Sequence, residues 1–324
     1  MNIKKIGLTA LAASLVSVSA HAGEMTVAGS ASVGMKHNPG TDGGKSITMG
    51  NQLTFTGGGE LDNGLNVALS FVLDQGDDTT GTTDARLKSS PFDSHSITIS
   101  SDAMGSFVIA GEGAGNAQTA LGTTAAGDAW DNGFTYNGTA YAKMKSSSAS
   151  GSSINYTLPT LMDDLSVSAS YSPSGASATS TTGVAFTYTG VEGLSVSYGA
   201  GEAGSTTATA SGDITTMKGS YAIGSFTAAV SQTESDLDST GVDEEMTSWN
   251  LSYTVTDDLS IKYGEETHET AAQATDEEFE GVTITYTTGG MTITAAQYNA
   301  TGLGNVAGAA NDAERWKLGA SFAF

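Results

Sequence analysis

The chain ends in AERWKLGASFAF (residues 313–324), with Trp316, Leu318, Ala320, Phe322 and Phe324 two apart. Arg315 precedes them, and Lys317, Gly319, Ser321 and Ala323 lie between them. Successive side chains of a strand point to opposite faces, so this tail reads as a strand with one apolar and one polar face. The last residues of a water-soluble domain usually fray. A strand that stops on phenylalanine needs apolar surroundings instead.

The same alternation runs through the chain. Leu65, Val67, Leu69, Phe71 and Leu73 are spaced by two, as are Leu165, Val167, Ala169 and Tyr171. So are Leu194, Val196 and Tyr198; Trp249, Leu251, Tyr253 and Val255; and Val282, Ile284 and Tyr286. The intervening positions are mostly Ser, Thr, Gly and Asn. Four segments repeat a tight acidic turn followed by a strand that begins at Leu: 61–71, 162–171, 191–201 and 256–265. Asp, Asn and Gly suit such turns because they bond locally and accept positive φ. Short turns at 101–105, 222–225 and 287–291 make seven short links. Longer polar links fall near 37–46, 75–92, 113–150, 173–181, 201–212, 234–245, 268–278 and 300–312. Seven short links alternating with eight long ones give 16 strands, from about Glu24 to Phe324.

Composition narrows the class. The hydrophobic share is 38%, yet Pro is scarce at 4 residues, so the polarity comes from strand- and turn-forming Thr, Ser and Gly rather than from a disordered composition. The absence of cysteine excludes disulfides and thiolate metal sites. Lys4 and Lys5, the apolar run Ile6–Val18 and Ala20-His21-Ala22 read as a secretory signal spanning 1–22, with the mature domain at 23–324. Removing the signal leaves 10 basic and 35 acidic residues, a formal charge of −25. That balance excludes nucleic acid as a partner, because phosphates could not be neutralised in number. No later segment approaches the roughly 20 apolar residues of a membrane helix.

A secreted β-sandwich needs bulky residues on its inner faces. Here one face is uniformly apolar and the other small and polar, which suits lipid outside and water inside. The expected fold is therefore all-β: a 16-stranded antiparallel transmembrane barrel, wide enough for an aqueous channel. Closure also pairs every strand edge, as a bilayer requires.

The sequence resembles the Gram-negative general-diffusion porins of the alphaproteobacterial type. The resemblance rests on the signal followed directly by EMTVAGSASVGMK (24–36), the LDNGL turn (61–65), one very long third loop beginning GEGAGNAQTALGTTAAGDAWDNG (111–133), and the terminal strand ending in Phe. It implies a homotrimer in the outer membrane, with the third loop folded into the pore. It also implies contact with outer-membrane lipid and lipopolysaccharide, and an assembly machinery that reads the C-terminal strand through Phe322 and Phe324. The implied function is passive diffusion of ions and small hydrophilic solutes, without cofactor, metal or catalysis.

In that family, loop acids face basic residues on the barrel wall, and the field between them sorts solutes. Here the candidate loop acids are Glu112, Asp128 and Asp131. Glu112 falls on the lumen side if Phe107 and Ile109 face lipid. A charge facing lipid costs a few kcal/mol at midplane, so parity assigns Lys36, Lys218, Lys262, Arg315 and Lys317 to the lumen. Closing the barrel brings Lys36 beside Arg315 and Lys317. The chain departs from the family's arginine-rich wall, since its only arginines are Arg86, in a loop, and Arg315. The net charge then points to a preference for cations. A substrate-selective channel and a secreted adhesive β-protein are the alternatives.

Other motifs are weak. DLDSTGVDEEMT (236–247) begins like a calcium loop, but Thr247 stands where a bidentate Glu is required. The acidic loops 234–245 and 268–280 read as solvated charge, with loose divalent binding as the alternative. GEGAG (111–115) lacks a βα context, GASFA (319–323) has no following helix, and the histidines lack ligand spacing.

Overall fold

The computed structural model describes residues 25–38, 44–74, 94–112, 116–122, 124–125, 134–136, 139–140, 152–173, 180–204, 211–239, 243–271, 273–308 and 312–324. The strands begin with β1 (Met25–Asn38), β2 (Gly44–Glu60), β3 (Asn66–Asp74), β4 (Ser94–Ser101) and β5 (Gly105–Glu112). A small hairpin follows, β6 (Thr135–Tyr136) and β7 (Thr139–Ala140). Then come β8 (Ser153–Thr157), β9 (Leu165–Ser172), β10 (Thr181–Tyr188), β11 (Leu194–Ala203), β12 (Gly212–Ile223) and β13 (Phe226–Leu237). The last are β14 (Glu244–Thr256), β15 (Leu259–Thr270), β16 (Glu277–Thr288), β17 (Met291–Thr301) and β18 (Ala313–Ala323). Among the described residues, all but the β6–β7 hairpin form one closed barrel of 16 strands, each paired antiparallel with its neighbours. The expected strand number and closure are both present.

The terminal strand does close the wall. β18 pairs β1 with Met35 opposite Leu318 and Lys36 opposite Lys317. Phe324 and Gly29 exchange both backbone hydrogen bonds, at 2.8 and 2.9 Å. Residues directly opposite in an antiparallel pair share a face, so each register entry tests the parity reading. Val33, Met35, Leu318 and Phe322 are all exposed on the outside, as are Val196, Tyr198, Met217, Val230, Leu251, Ile261, Val282, Ile284 and Tyr286. In water such a surface would be an aggregation hazard; in a bilayer it is the solvated face.

The acidic turns explain the internal repeat. Gly64, Asp164 and Gly193 each precede the first Leu of a strand, and each has left-handed φ, at 81°, 66° and 75°. A Cβ at Gly193 would lie 2.3 Å from the Ala222 carbonyl, so that turn also requires glycine for space. The fourth copy differs: its turn Asp257-Asp258 joins β14 to β15 with a register shift between Thr254 and Thr256.

Two boundaries differ from the sequence expectation. The links placed at 234–245 and 268–278 are about half strand, because β13 runs to Leu237 and β14 starts at Glu244, while β15 runs to Thr270 and β16 starts at Glu277. The physical reason is the membrane edge. Above the hydrocarbon both faces are wet, so the apolar half of the alternation disappears while the ladder continues. Outward carboxylates mark this level. Tyr263 donates to Glu280 at 2.9 Å, Trp249 to Glu265 at 3.1 Å, and Gln297 to Glu314 at 2.9 Å.

Candidate functional site

Described residues of the segment between β5 and β8 contact side chains on the inner face of the barrel. Residues 116–122 and 124–125 of this segment lie against the inner wall formed by β9 to β14. Asn116 accepts the Thr119 N–H at 2.9 Å at the start of a short 3-10 turn, Thr119–Leu121. The Ala117 N–H donates to Ser170 of β9 at 2.9 Å. The Gln118 amide donates to Thr216 of β12 at 2.8 Å, and Thr216 contacts Thr233 of β13 at 2.9 Å. Ala125 is held by β14, its N–H donating to Ser248 and its carbonyl accepting from Asn250.

Two inward-facing glycines make room for this segment. A Cβ at Gly183 would lie 2.9 Å from the Ser170 hydroxyl and 3.4 Å from Asn116. At Gly199 it would lie 2.7 Å from Leu121 and 3.2 Å from the Gln118 backbone. Glycine inside a strand often marks such a close approach.

The same loop is anchored again further along. Phe134 is 1% exposed and packs in the lumen with Phe279, Met246, Tyr298 and Leu303. Its ring centroid lies 5.8 Å from that of Phe279. This apolar patch departs from the mostly small, polar lumen expected from alternation. Phe134 and Phe279 bury each other, so they offer no stacking surface to a passing solute. Beside them His268 contacts Glu277 at 2.9 Å, and Glu277 accepts the Gly304 N–H at 2.6 Å, tying the last loop to the wall.

The predicted basic residues can now be placed. Lys36 and Lys317 are direct cross-strand partners on the inner face. Lys317 lies 5.3 Å from the centre of the Tyr298 ring. Arg315, opposite Tyr298, is 5% exposed. Lys262 is paired with Ser252 and Thr283, also facing inward. Lys218 is directed at the loop, donating to the carbonyls of Leu121 at 2.7 Å and Thr124 at 3.1 Å. Of the predicted acids, Asp128 and Asp131 lie outside the described residues, and so does the side chain of Glu112, whose backbone ends β5. The sequence reading missed the hydroxyl and amide seat at Ser170, Thr216, Ser248 and Asn250. Inward glycines at 183 and 199 were the available signal.

A closed barrel with an apolar exterior, a polar interior and a loop laid against its inner wall defines an outer-membrane diffusion channel. The chain matches the Gram-negative porin family over residues 7–324, and it belongs to that family. A comparison with curated protein sequences finds no match. Solved structures with the same fold include a porin refined at 1.8 Å resolution, 17% identical, covering 93% of this chain and 100% of that one with a TM-score of 0.66. An anion-selective porin from Comamonas acidovorans is 14% identical, with coverage of 93% and 99% and a TM-score of 0.65. The in-vitro folded outer membrane protein OmpT of Vibrio cholerae, in its trimer form, is 16% identical, with coverage of 94% and 100% and a TM-score of 0.61.

Proposed function

We propose that the protein is a cation-preferring general-diffusion porin, exported by a signal cleaved after Ala22 and assembled as a homotrimer. The observation that supports this reading is a closed barrel whose third loop is anchored to the inner wall at two places among the described residues. The preference for cations follows from charge. The mature chain carries an excess of 25 acids, and clefts lined by one sign of charge concentrate counter-ions. Lys36, Lys262, Arg315 and Lys317 form the basic side of the field; Glu112, Asp128 and Asp131 form the acidic side. Small neutral solutes pass without recognition.

The trimer reading is supported by the trimer form of the OmpT relative and by uneven outer chemistry. Aromatics near the short turns, such as Tyr156, Tyr188, Tyr221, Tyr253, Tyr286 and Phe322, lie on β8 to β18. The outer face of β1 from Met25 to Met35 carries aliphatic and small residues, and that of β2 has Ile47 and Met49 at 73% and 78% exposure with Phe55 as its aromatic residue. Aromatic girdles follow lipid interfaces, so a face with few aromatics suits a subunit seam.

Single-channel recording in a planar bilayer under a potassium chloride gradient tests the function. A reversal potential of the sign carried by potassium is expected. The opposite sign overturns the cation preference, and a protein that folds and conducts nothing overturns the channel.

A further inference from the structure

We propose that Lys218 is a positioning residue: its ammonium holds the third loop on the inner wall, and its charge does not set the ion preference of the pore. The proposal rests on the channel reading above and assigns to Lys218 a role different from the other lumenal bases.

The geometry of the loop carries it. Leu121 ends the short 3-10 turn, and the Leu121 carbonyl points away from that turn toward Lys218. Carbonyls at the end of a helical turn lack partners within the turn and carry partial negative charge, so a cation is the natural cap. The Lys218 ammonium bridges this carbonyl and that of Thr124, spanning the bend at Gly122. Gly122 has φ of 70°, and a Cβ there would lie 3.4 Å from the Lys218 nitrogen. The loop backbone is therefore shaped to bring its carbonyls onto one ammonium. The same strand supplies Thr216, two residues away on the same inward face, which accepts from Gln118. β12 thus grips the loop on both sides of the turn, once with a hydroxyl and once with a charge. Three donors on one tetrahedral nitrogen suit two converging carbonyls, which a hydroxyl could not satisfy.

A base that faces open water in a constriction acts on ions through its field. A base whose donors point at backbone carbonyls acts on them through the position of the loop. The two roles separate experimentally. Lys218→Met removes the charge and the donors; Lys218→Arg keeps both; Gly199→Ala leaves Lys218 in place but sets a methyl group against Leu121 and Gln118. Each is folded into vesicles, checked for heat-modifiable gel mobility, and recorded in a planar bilayer. The expected result is a rise in open-channel noise and brief closures for Lys218→Met, with the displaced-loop population up about tenfold or more, the ratio for losing one hydrogen bond to a charged group. Gly199→Ala is expected to reproduce that noise, and Lys218→Arg to stay quiet. All three keep the reversal potential of the parent. A quiet Lys218→Met channel overturns the proposal, and so does a Lys218→Met reversal potential moved toward cations at unchanged noise. If Lys218→Met does not fold, a quiet Gly199→Ala channel overturns it instead. A parent protein that conducts nothing overturns both this inference and the channel reading, whereas a quiet but conducting Lys218→Met sinks this inference alone.

Discussion

Ile284 and Thr285 are adjacent on β16 and face opposite sides of the wall, so one substitution at each place weighs lipid against lumen. Ile284 is 42% exposed on the outside, with Ile261 and Ala295 as cross-strand partners. Thr285 faces inward between Ser260 and Thr294, with no charge directly opposite. Depth follows from the strand. Glu280, the outward carboxylate, and Thr288, beside the short turn, are eight residues apart, about 27 Å at 3.4 Å each. A tilt of about 40° reduces this to about 21 Å of depth, close to the height of an outer-membrane apolar band. Ile284 lies at its middle. Ile284→Arg is therefore expected to cost about 2–4 kcal/mol, and Thr285→Arg about 1 kcal/mol or less. The corresponding shift in folding equilibrium is about 30- to 900-fold for the first and under about tenfold for the second. The assay is urea-dependent folding into phospholipid vesicles, with the folded fraction read from the gel mobility of unheated samples. Equal costs at the two positions, or a larger cost at Thr285, would refute the assignment of faces and with it the placement of the membrane.

Two further outcomes follow from local geometry. Phe134→Ala removes a side chain buried among Phe279, Met246 and Leu303, a loss of about 3 kcal/mol that falls on loop docking and not on the barrel ladder; the vesicle unfolding midpoint should hold while single-channel current becomes larger and noisier, and an unaltered trace counts against the second anchor. At the repeated turn, Asp164→Gly relieves a left-handed residue and is expected to stabilise by about 0.5–1 kcal/mol, whereas Gly193→Ala meets the Ala222 carbonyl and is expected to destabilise by more than that; urea midpoints that move the other way would refute the turn assignment.

Much of the barrel was legible because lipid imposes a period of two. Where both Trp316 and Leu318 must meet hydrocarbon, every intervening residue is assigned to water, and the register of β18 with β1 agrees with that assignment position by position. Legibility ended at the membrane edge. The outward residues Glu265, Glu280 and Glu314 lie on strands that continue into water, and there the alternation loses its apolar half. The loop site was less legible for a different reason. Ser170, Thr216, Ser248 and Asn250 look like any other lumenal polar residues, and what distinguishes them is a partner more than forty residues away in sequence. Gly183 and Gly199 carried the only local trace, a missing side chain where a strand would otherwise hold one. Phe279 had no sequence signal of its own: Phe134, contributed by the loop, makes with it a small apolar compartment inside a wet barrel.

The stability of the fold and the shape of the pore depend on different groups. The ladder from β1 around to β18 satisfies the backbone within the wall, and the apolar exterior is satisfied by lipid. Neither uses the third loop. Among the described residues, the wall holds the loop through side chains: hydroxyls on β9, β12 and β14, an amide, one ammonium and one buried aromatic cluster. Each contact is worth on the order of 1–3 kcal/mol. Removing one shifts the loop without opening the barrel, so residues of this seat can change the pore while the wall stays folded. Charge placed on the inner face is tolerated for the same reason that charge on the outer face is not. The lumenal bases from Lys36 to Lys317 thus differ in surroundings: Lys36 and Lys317 face each other across the β1–β18 pair, while Lys218 faces the loop.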